Sequence, residues 1–130
     1  MPRQKPSMDL PKMKSFLIVD DDPTDTMLIK AFLRPLDVII DSASCSLEAN
    51  VLLSQKQYDT ILVDIRLGPE DGVEVANELD KYKIPIYLMS NYTNGDISHL
   101  EIIRHCNCIN GFISKVDLEN NLRKAFGAKG

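Results

Sequence analysis

Two short apolar runs that end abruptly on aspartate constrain this chain more than any other feature. Phe16-Leu17-Ile18-Val19 runs into Asp20-Asp21-Asp22, and Thr60-Ile61-Leu62-Val63 runs into Asp64. Apolar runs this short, bounded by turn or helix signals, fit strands buried on both faces of a parallel sheet. In an open α/β sheet, ligands gather outside the carboxyl ends of the strands. If the two strands are neighbours, Asp20, Asp21 and Asp64 converge on one pocket. Carboxylates in close quarters repel unless a proton or cation neutralises them. A hard, oxygen-seeking ion such as Mg2+ is the natural occupant.

The rest of the chain alternates strand and helix patterns. Pro23-Thr24-Asp25 opens a helix, since a proline in the first turn loses no hydrogen bond. Met27, Leu28, Ala31 and Phe32 recur at helical spacing and are expected to form its buried face. Arg34-Pro35 ends it, because the residue before proline is pushed out of the α region. Val38 to Ile40 reads as a second strand. Ser46 is expected to cap a second helix that buries Leu47, Val51 and Leu52, with Ala49 alongside. Thr60 to Asp64 is the third strand, followed by a turn-rich loop from Arg66 to Gly72. Val73, Val75, Ala76 and Leu79 mark a third helix. Ile84 to Met89 is a fourth strand delivering Ser90 to its end. After a polar loop, Ile97 to His105 reads as a fourth helix. Gly111 to Ser114 is the fifth strand, bringing Lys115 to the same edge, and Asp117 to Phe126 a last helix with Leu118, Leu122 and Phe126 inward. Five βα units predict an α/β sandwich with helices on both faces of a parallel sheet.

At 130 residues the chain is expected to be one domain, able to bury about two-thirds of its surface. Residues 14–127 form that unit, with 1–13 and 128–130 as tails. A net charge of -4 argues against a general nucleic-acid surface. Apolar stretches of five residues or fewer are far too short for a membrane span, and Met1 to Lys14 lacks the apolar core of a secretory signal. Three cysteines, an odd number, fit a reducing cytoplasm better than a disulfide framework. Cys106, Cys108, His99 and His105 crowd one stretch. With no second cysteine pair to complete a zinc site, they are expected to be one buried thiol, one surface thiol and two surface histidines.

The strand ends together suggest a chemistry. Asp21 and Asp64 would hold the metal directly, Ser90 offers a hydroxyl and Lys115 a point positive charge suited to phosphate oxygens. An aspartate beside Mg2+, a hydroxyl and an ammonium suits phosphoryl transfer onto a carboxylate. Three positive or donor groups can then hold the three equatorial oxygens. Asp64 stands alone at its strand end and is the best nucleophile. The Gly-rich phosphate loops of nucleotide-binding proteins are absent from the sequence.

This ordered set resembles the response-regulator receiver family of two-component signalling, from about Lys14 to Phe126. The paired acids match Asp20 and Asp21. The phosphoacceptor matches Asp64 within Val63-Asp64-Ile65-Arg66-Leu67, the later Asp-Gly pair Asp71-Gly72, the hydroxyl residue Ser90 and the lysine Lys115. The resemblance implies a flavodoxin-like (βα)5 sandwich with strand order 2-1-3-4-5. It implies Mg2+ held by Asp21, Asp64 and the Arg66 carbonyl, with Asp20 acting through water. It also implies a phosphohistidine donor on a sensor histidine kinase or a histidine phosphotransfer protein. Ser90 and Phe112 would form the switch, and the signal would leave through the face of the fourth helix, fifth strand and fifth helix. A weak homodimer is a further option. Such a protein promotes its own phosphorylation and dephosphorylation without small-molecule turnover. The alternatives are a degenerate receiver that only binds partners, and an unrelated metal-dependent hydrolase, for which no histidine is placed near Asp64.

Several positions depart from the family pattern. Val116 replaces the proline after the lysine, so the 115–116 bond is expected to be trans, a cis bond costing about 2.5–4 kcal/mol without proline. Gly68 stands where a proline is usual, with Pro69 one place later. Phe112 keeps the ring of the usual switch tyrosine without its hydroxyl, and Asn91 is expected to narrow access to Asp64. The Arg66 guanidinium is expected to reach over the pocket towards Asp21 or Asp22. The chain ends about four residues beyond its last helix, which fits either a single-domain regulator or a receiver from a longer protein.

Overall fold

The computed structural model describes residues 14–91 and 108–127. In chain order these form β1 (Ser15–Val19), α1 (Pro23–Leu33), β2 (Ile39–Ala43), α2 (Ser46–Gln55), β3 (Thr60–Asp64), β4 (Arg66–Leu67), β5 (Glu70–Asp71), α3 (Gly72–Leu79), β6 (Ile86–Ser90), β7 (Ile109–Ser114) and α4 (Leu118–Phe126). Five strands make one parallel sheet in the order β2-β1-β3-β6-β7. Numbered consecutively, this is the 2-1-3-4-5 order of the flavodoxin-like fold. The expected helix over Ile97 to His105 lies outside the described residues.

Side chains alternate across a strand, so each sheet strand feeds two cores. Leu17 and Val19 of β1, with Ile61 and Val63 of β3, pack against Ala49, Leu53, Val75 and Leu79 of α2 and α3. Phe16, Ile18 and Leu62 face the other way, against Ile29, Leu33, Leu118 and Leu122 of α1 and α4. Helices therefore cover both faces, which is why β1 and β3 read as unbroken apolar runs. The Phe126 ring closes the end of α4, lying edge-on to Phe16 at 5.0 Å and Tyr87 at 5.1 Å between centroids. Such aromatic pairs add about 0.5–1.5 kcal/mol beyond their buried area.

Two helix faces differ from the expected ones. Met27 is 62% exposed, and Leu28 and Ala31 are also exposed; α1 buries Ile29 and Leu33, with Phe32 half-buried. In α2, Leu47 and Val51 are exposed, whereas Ala49 and Leu53 are buried. Both helices carry apolar residues around much of their circumference, so periodicity alone leaves their rotation open. Their attachment to the chain settles it. Asp22 caps α1 by accepting from the N–H groups of Thr24 and Asp25, with Pro23 in the first turn. Cys45, not Ser46, is the cap residue of α2. The Ser46 N–H and hydroxyl instead donate to the Glu70 carboxylate on β5.

The Arg66–Gly72 segment is more ordered than a loop. β4 and β5 pair as an antiparallel ribbon turned by Gly68 and Pro69. Gly68 has φ +63°, a conformation closed to proline with its fixed φ.

Candidate functional site

Strand alternation decides which carboxylates meet. β1 and β3 lie in register up to Val19 opposite Val63, so Asp20 and Asp64 follow as neighbours at the same edge. Each sits two residues beyond a side chain of the α1–α4 core, Ile18 and Leu62, and therefore points towards that side. Lys115 follows Ile113 of that core by the same spacing. One ammonium is thus delivered between two strand-borne carboxylates. Lys115 Nζ lies 3.0 Å from Asp20 Oδ2 and 3.0 Å from Asp64 Oδ2.

A third carboxylate completes the ring around the ammonium, one the sequence reading passed over. Asp25, in the first turn of α1, places Oδ2 2.7 Å from Lys115 Nζ. It lies one turn before Ile29, on the face that α1 buries.

Asp20 is buried and its Oδ1 accepts the Asp22 N–H at 2.9 Å. Burial pushes its pKa up to about 6, against the lowering pull of that N–H and of Lys115, while the charge of Asp64 adds to the rise. Burial also pulls the Lys115 ammonium towards deprotonation. The hydrogen bond that Lys115 donates to Asp25 and the charges of Asp64 and Asp20 outweigh it and hold the pKa above the ordinary lysine value. The lysine stays charged. Asp64 is buried too, and its Oδ1 accepts the Arg66 N–H at 3.2 Å.

Asp20, Asp21 and Asp64 each offer a carboxylate oxygen, all within 4.8 Å of one another, with Asp21 exposed to solvent. Oxygens about 2.1 Å from an octahedral Mg2+ lie about 3–4.2 Å apart. The set has the donor chemistry of a hard divalent cation site and could hold such an ion. Arg66, the expected carbonyl donor, lines the same cavity of about 390 Å3, together with Asp21, Asp25, Asp64, Ser90, Asn91 and Lys115. Asp22 also lines it, though its carboxylate is engaged as the α1 cap.

Two glycines let backbone approach the site. A Cβ on Gly68 would lie 2.8 Å from Asp21 Oδ2, so the ribbon turn rests against one carboxylate of the acidic cluster. A Cβ on Gly72 would lie 2.0 Å from the Asp64 carbonyl oxygen, an impossible overlap. Gly72 also donates its N–H to the Ile65 carbonyl at 2.8 Å, while Asp71 caps α3 by accepting the Val73 N–H at 2.8 Å. The Asp71-Gly72 pair therefore seats α3 directly behind the Asp64 backbone.

Ser90 is buried at the end of β6, and its carbonyl accepts the Lys115 N–H at 2.6 Å. Phe112 is half-buried and packs against the α2–α3 core. No cis peptide occurs among the described residues, so the 115–116 bond is trans as expected. The loop after it is tied by Asn121, whose side-chain amide donates to the Ser114 and Val116 carbonyls at 3.0 and 2.8 Å. Val116 itself is 53% exposed. Cys108 is half-buried beside Asn77, its Sγ 3.4 Å from Oδ1; Cys106, His99 and His105 lie outside the described residues.

Among the described residues no helix is long and apolar enough to cross a membrane. The sequence matches the family described as response regulator receiver domain over residues 16–126. The autoinducer 2 sensor kinase/phosphatase LuxQ of Vibrio harveyi is 29% identical over 127 residues, covering 95% of this chain and 14% of that protein. The transcriptional regulatory protein ZraR of Klebsiella oxytoca is 32% identical over 82 residues, covering 62% of this chain and 18% of that protein. The chain thus spans less than a fifth of the length of either relative. Among solved structures, the chemotaxis protein CheY4 of Vibrio cholerae shares the fold at a TM-score of 0.77 and 19% identity, over 88% of this chain and 96% of that one. An acidic cluster placed for metal-assisted phosphoryl transfer, on this sheet and under that family match, makes the chain a member of the response regulator receiver domain family.

Proposed function

We propose that the chain accepts a phosphoryl group on Asp64 from a phosphohistidine donor and signals through protein contacts. One observation carries this reading. The Asp64 carboxylate lies 3.0 Å from the Lys115 ammonium and clusters with Asp20 and Asp21, one oxygen of each of the three lying within 4.8 Å of the others. Asp64 would attack phosphorus as the donor's P–N bond breaks, its electron pair returning to the donor nitrogen. Mg2+, held by Asp21, Asp64 and the Arg66 carbonyl with Asp20 acting through water, would offset charge on the phosphoryl oxygens. Lys115 and the Ser90 hydroxyl would hold the remaining oxygens, since such transfer relies on positioning and charge. LuxQ is a sensor kinase by name, which supports a histidine-kinase partner or a phosphotransfer protein. Residues 14–127 would act as the receiver unit. Movement of Ser90 towards the phosphoryl group would open volume for Phe112 and repack the surface of β7 and α4 for a downstream protein or a second copy; the rest of the expected face, residues 97–107, lies outside the described residues.

Intact-mass analysis with a small acyl phosphate, with and without Mg2+, tests the reading on wild type and Asp64→Asn. One added phosphoryl group is expected on wild type with Mg2+ and none on the variant, with borohydride trapping placing it at Asp64. An unmodified wild-type chain under all conditions would leave a module that only binds partners.

A further inference from the structure

We propose that Asp25 is a positioning residue of this site: it ties the Lys115 ammonium to α1 and thereby restrains phosphoryl acceptance by Asp64. The inference rests on Asp64 being the acceptor. A lysine ammonium has three N–H donors. In this structure three carboxylate oxygens surround it, and Asp25 Oδ2 is the nearest, at 2.7 Å against 3.0 Å for Asp20 and Asp64. The Lys115 side chain is only 6% exposed, so water has little access to take over one of those bonds.

The three partners are held differently. Asp20 and Asp64 extend from strand ends, and each is fixed by a second bond from a backbone N–H, of Asp22 and Arg66. Asp25 stands on a helix, with its side chain 29% exposed, and lines the cavity that a phosphoryl group on Asp64 must enter. Its charge is also the surplus one. Asp20, Asp21 and Asp64 already form a cluster that could hold a divalent cation, and Asp25 adds a fourth carboxylate where an anionic group has to arrive.

The transfer makes the conflict concrete. As the donor's bond to phosphorus breaks and the Asp64 Oδ–P bond forms, the electron pair leaves with the donor and Asp64 becomes an acyl phosphate. The phosphoryl oxygens then compete for Lys115, while Asp25 keeps one of its hydrogens and part of its charge. Neutralising Asp25 should release the ammonium towards the phosphoryl group and lower the repulsion met by an anionic donor.

The test compares wild type with Asp25→Asn, Asp25→Ser and Asp25→Glu, using acetyl phosphate with saturating Mg2+. Phosphorylation rate is read by intact mass and beryllofluoride affinity by fluorine NMR. Serine is included because it suits the first turn of a helix if asparagine impairs folding. The neutral variants are expected to react about threefold or more faster and to bind beryllofluoride correspondingly tighter, the scale of one partly screened charge. Asp25→Glu, which restores the charge, should stay within about twofold of wild type. A generic helix defect would not be repaired by glutamate in this way. Wild type modified at Asp64, with neutral variants equal or slower, would overturn the role of Asp25 and leave the acceptor reading standing. No modification and no beryllofluoride binding in any of the chains would overturn both.

Discussion

Two clusters around a lysine in this molecule use the same groups to opposite ends. At the edge strand β2, Asp41 accepts from the Tyr58 hydroxyl at 2.6 Å and from Lys56 Nζ at 2.9 Å. Donors outnumber carboxylates there, water reaches the group, and the Asp41 pKa is lowered, by the Tyr58 bond first and then by Lys56. At the strand ends, Asp20, Asp25 and Asp64 all bond to the one Lys115 ammonium, with Asp21 close by. Carboxylates outnumber the cation, and burial pushes Asp20 up to about 6. The first cluster is satisfied as it stands. The second sets three carboxylates on one ammonium with Asp21 beside them, an arrangement that could hold a divalent cation.

The contrast is broken most directly by removing each lysine. Lys115→Ala leaves Asp20, Asp25 and Asp64 without their buried partner, and loss of one member of such a cluster costs about 3–5 kcal/mol. Mg2+ should restore part of it, since a cation that binds only the folded chain stabilises it by mass action. Lys56→Ala should cost about 0–1 kcal/mol, because the Lys56 side chain is 56% exposed. Urea unfolding with and without Mg2+ measures both. Equal losses in the two variants, or no response of Lys115→Ala to Mg2+, would remove the distinction.

The next effect is smaller and acts through backbone. Gly72→Ala forces a methyl group against the Asp64 carbonyl, 2.0 Å from where its Cβ must sit. Overpacking of this kind costs about 1–3 kcal/mol, and here the displaced atom belongs to Asp64, the proposed acceptor. Mg2+ affinity should therefore fall along with stability. A variant with wild-type Mg2+ affinity would show that α3 does not set the position of Asp64.

What the sequence made legible follows the same division. β1 and β3 are buried on both faces, so their composition declared them, and the aspartates that end them announced the pocket. Ser90 and Lys115 could be placed at the same edge because the strands that carry them run parallel to β1 and β3. Asp25 was hidden by a misjudged rotation. With Met27, Leu28, Ala31 and Phe32 taken as the inner face of α1, Asp25 falls away from the core. With Ile29 and Leu33 inside, it falls on Lys115. The cap at Asp22 determines that rotation, and a run of three aspartates does not say which one caps. The Gly72 contact was equally out of reach, because its partner is backbone and leaves no mark in composition. Gly68 signalled only a turn, and its closeness to Asp21 depends on how the ribbon folds back.

Metal binding separates the neighbouring acids. Asp21→Asn removes one anionic oxygen from the cation set and should weaken Mg2+ about tenfold, or about 1.4 kcal/mol. Asp22→Asn should change it by less than about twofold, because asparagine caps a helix nearly as well as aspartate and the Asp22 carboxylate already accepts from Thr24 and Asp25. Calorimetric titration of the two variants checks this. Equal weakening would mean that general negative charge, not coordination, holds the ion.

The smallest expected effect tests the satisfied cluster through its pH dependence. Tyr58→Phe removes the leading cause of the lowered Asp41 pKa while leaving a ring of nearly the same shape in the core. A depressed carboxylate contributes stability that is fully present above its unfolded value, about 3.9, and is lost as pH falls through the folded value. Above about pH 5, wild type should exceed Tyr58→Phe by about 1 kcal/mol, the worth of one hydrogen bond to a partly exposed acceptor. Below about pH 4 the gap should narrow, because protonated Asp41 accepts more weakly from the phenol and Lys56 loses its partner in both proteins. Denaturant unfolding across that range measures it. A gap that stayed constant down to pH 2 would show that Tyr58 does not act through the charge of Asp41.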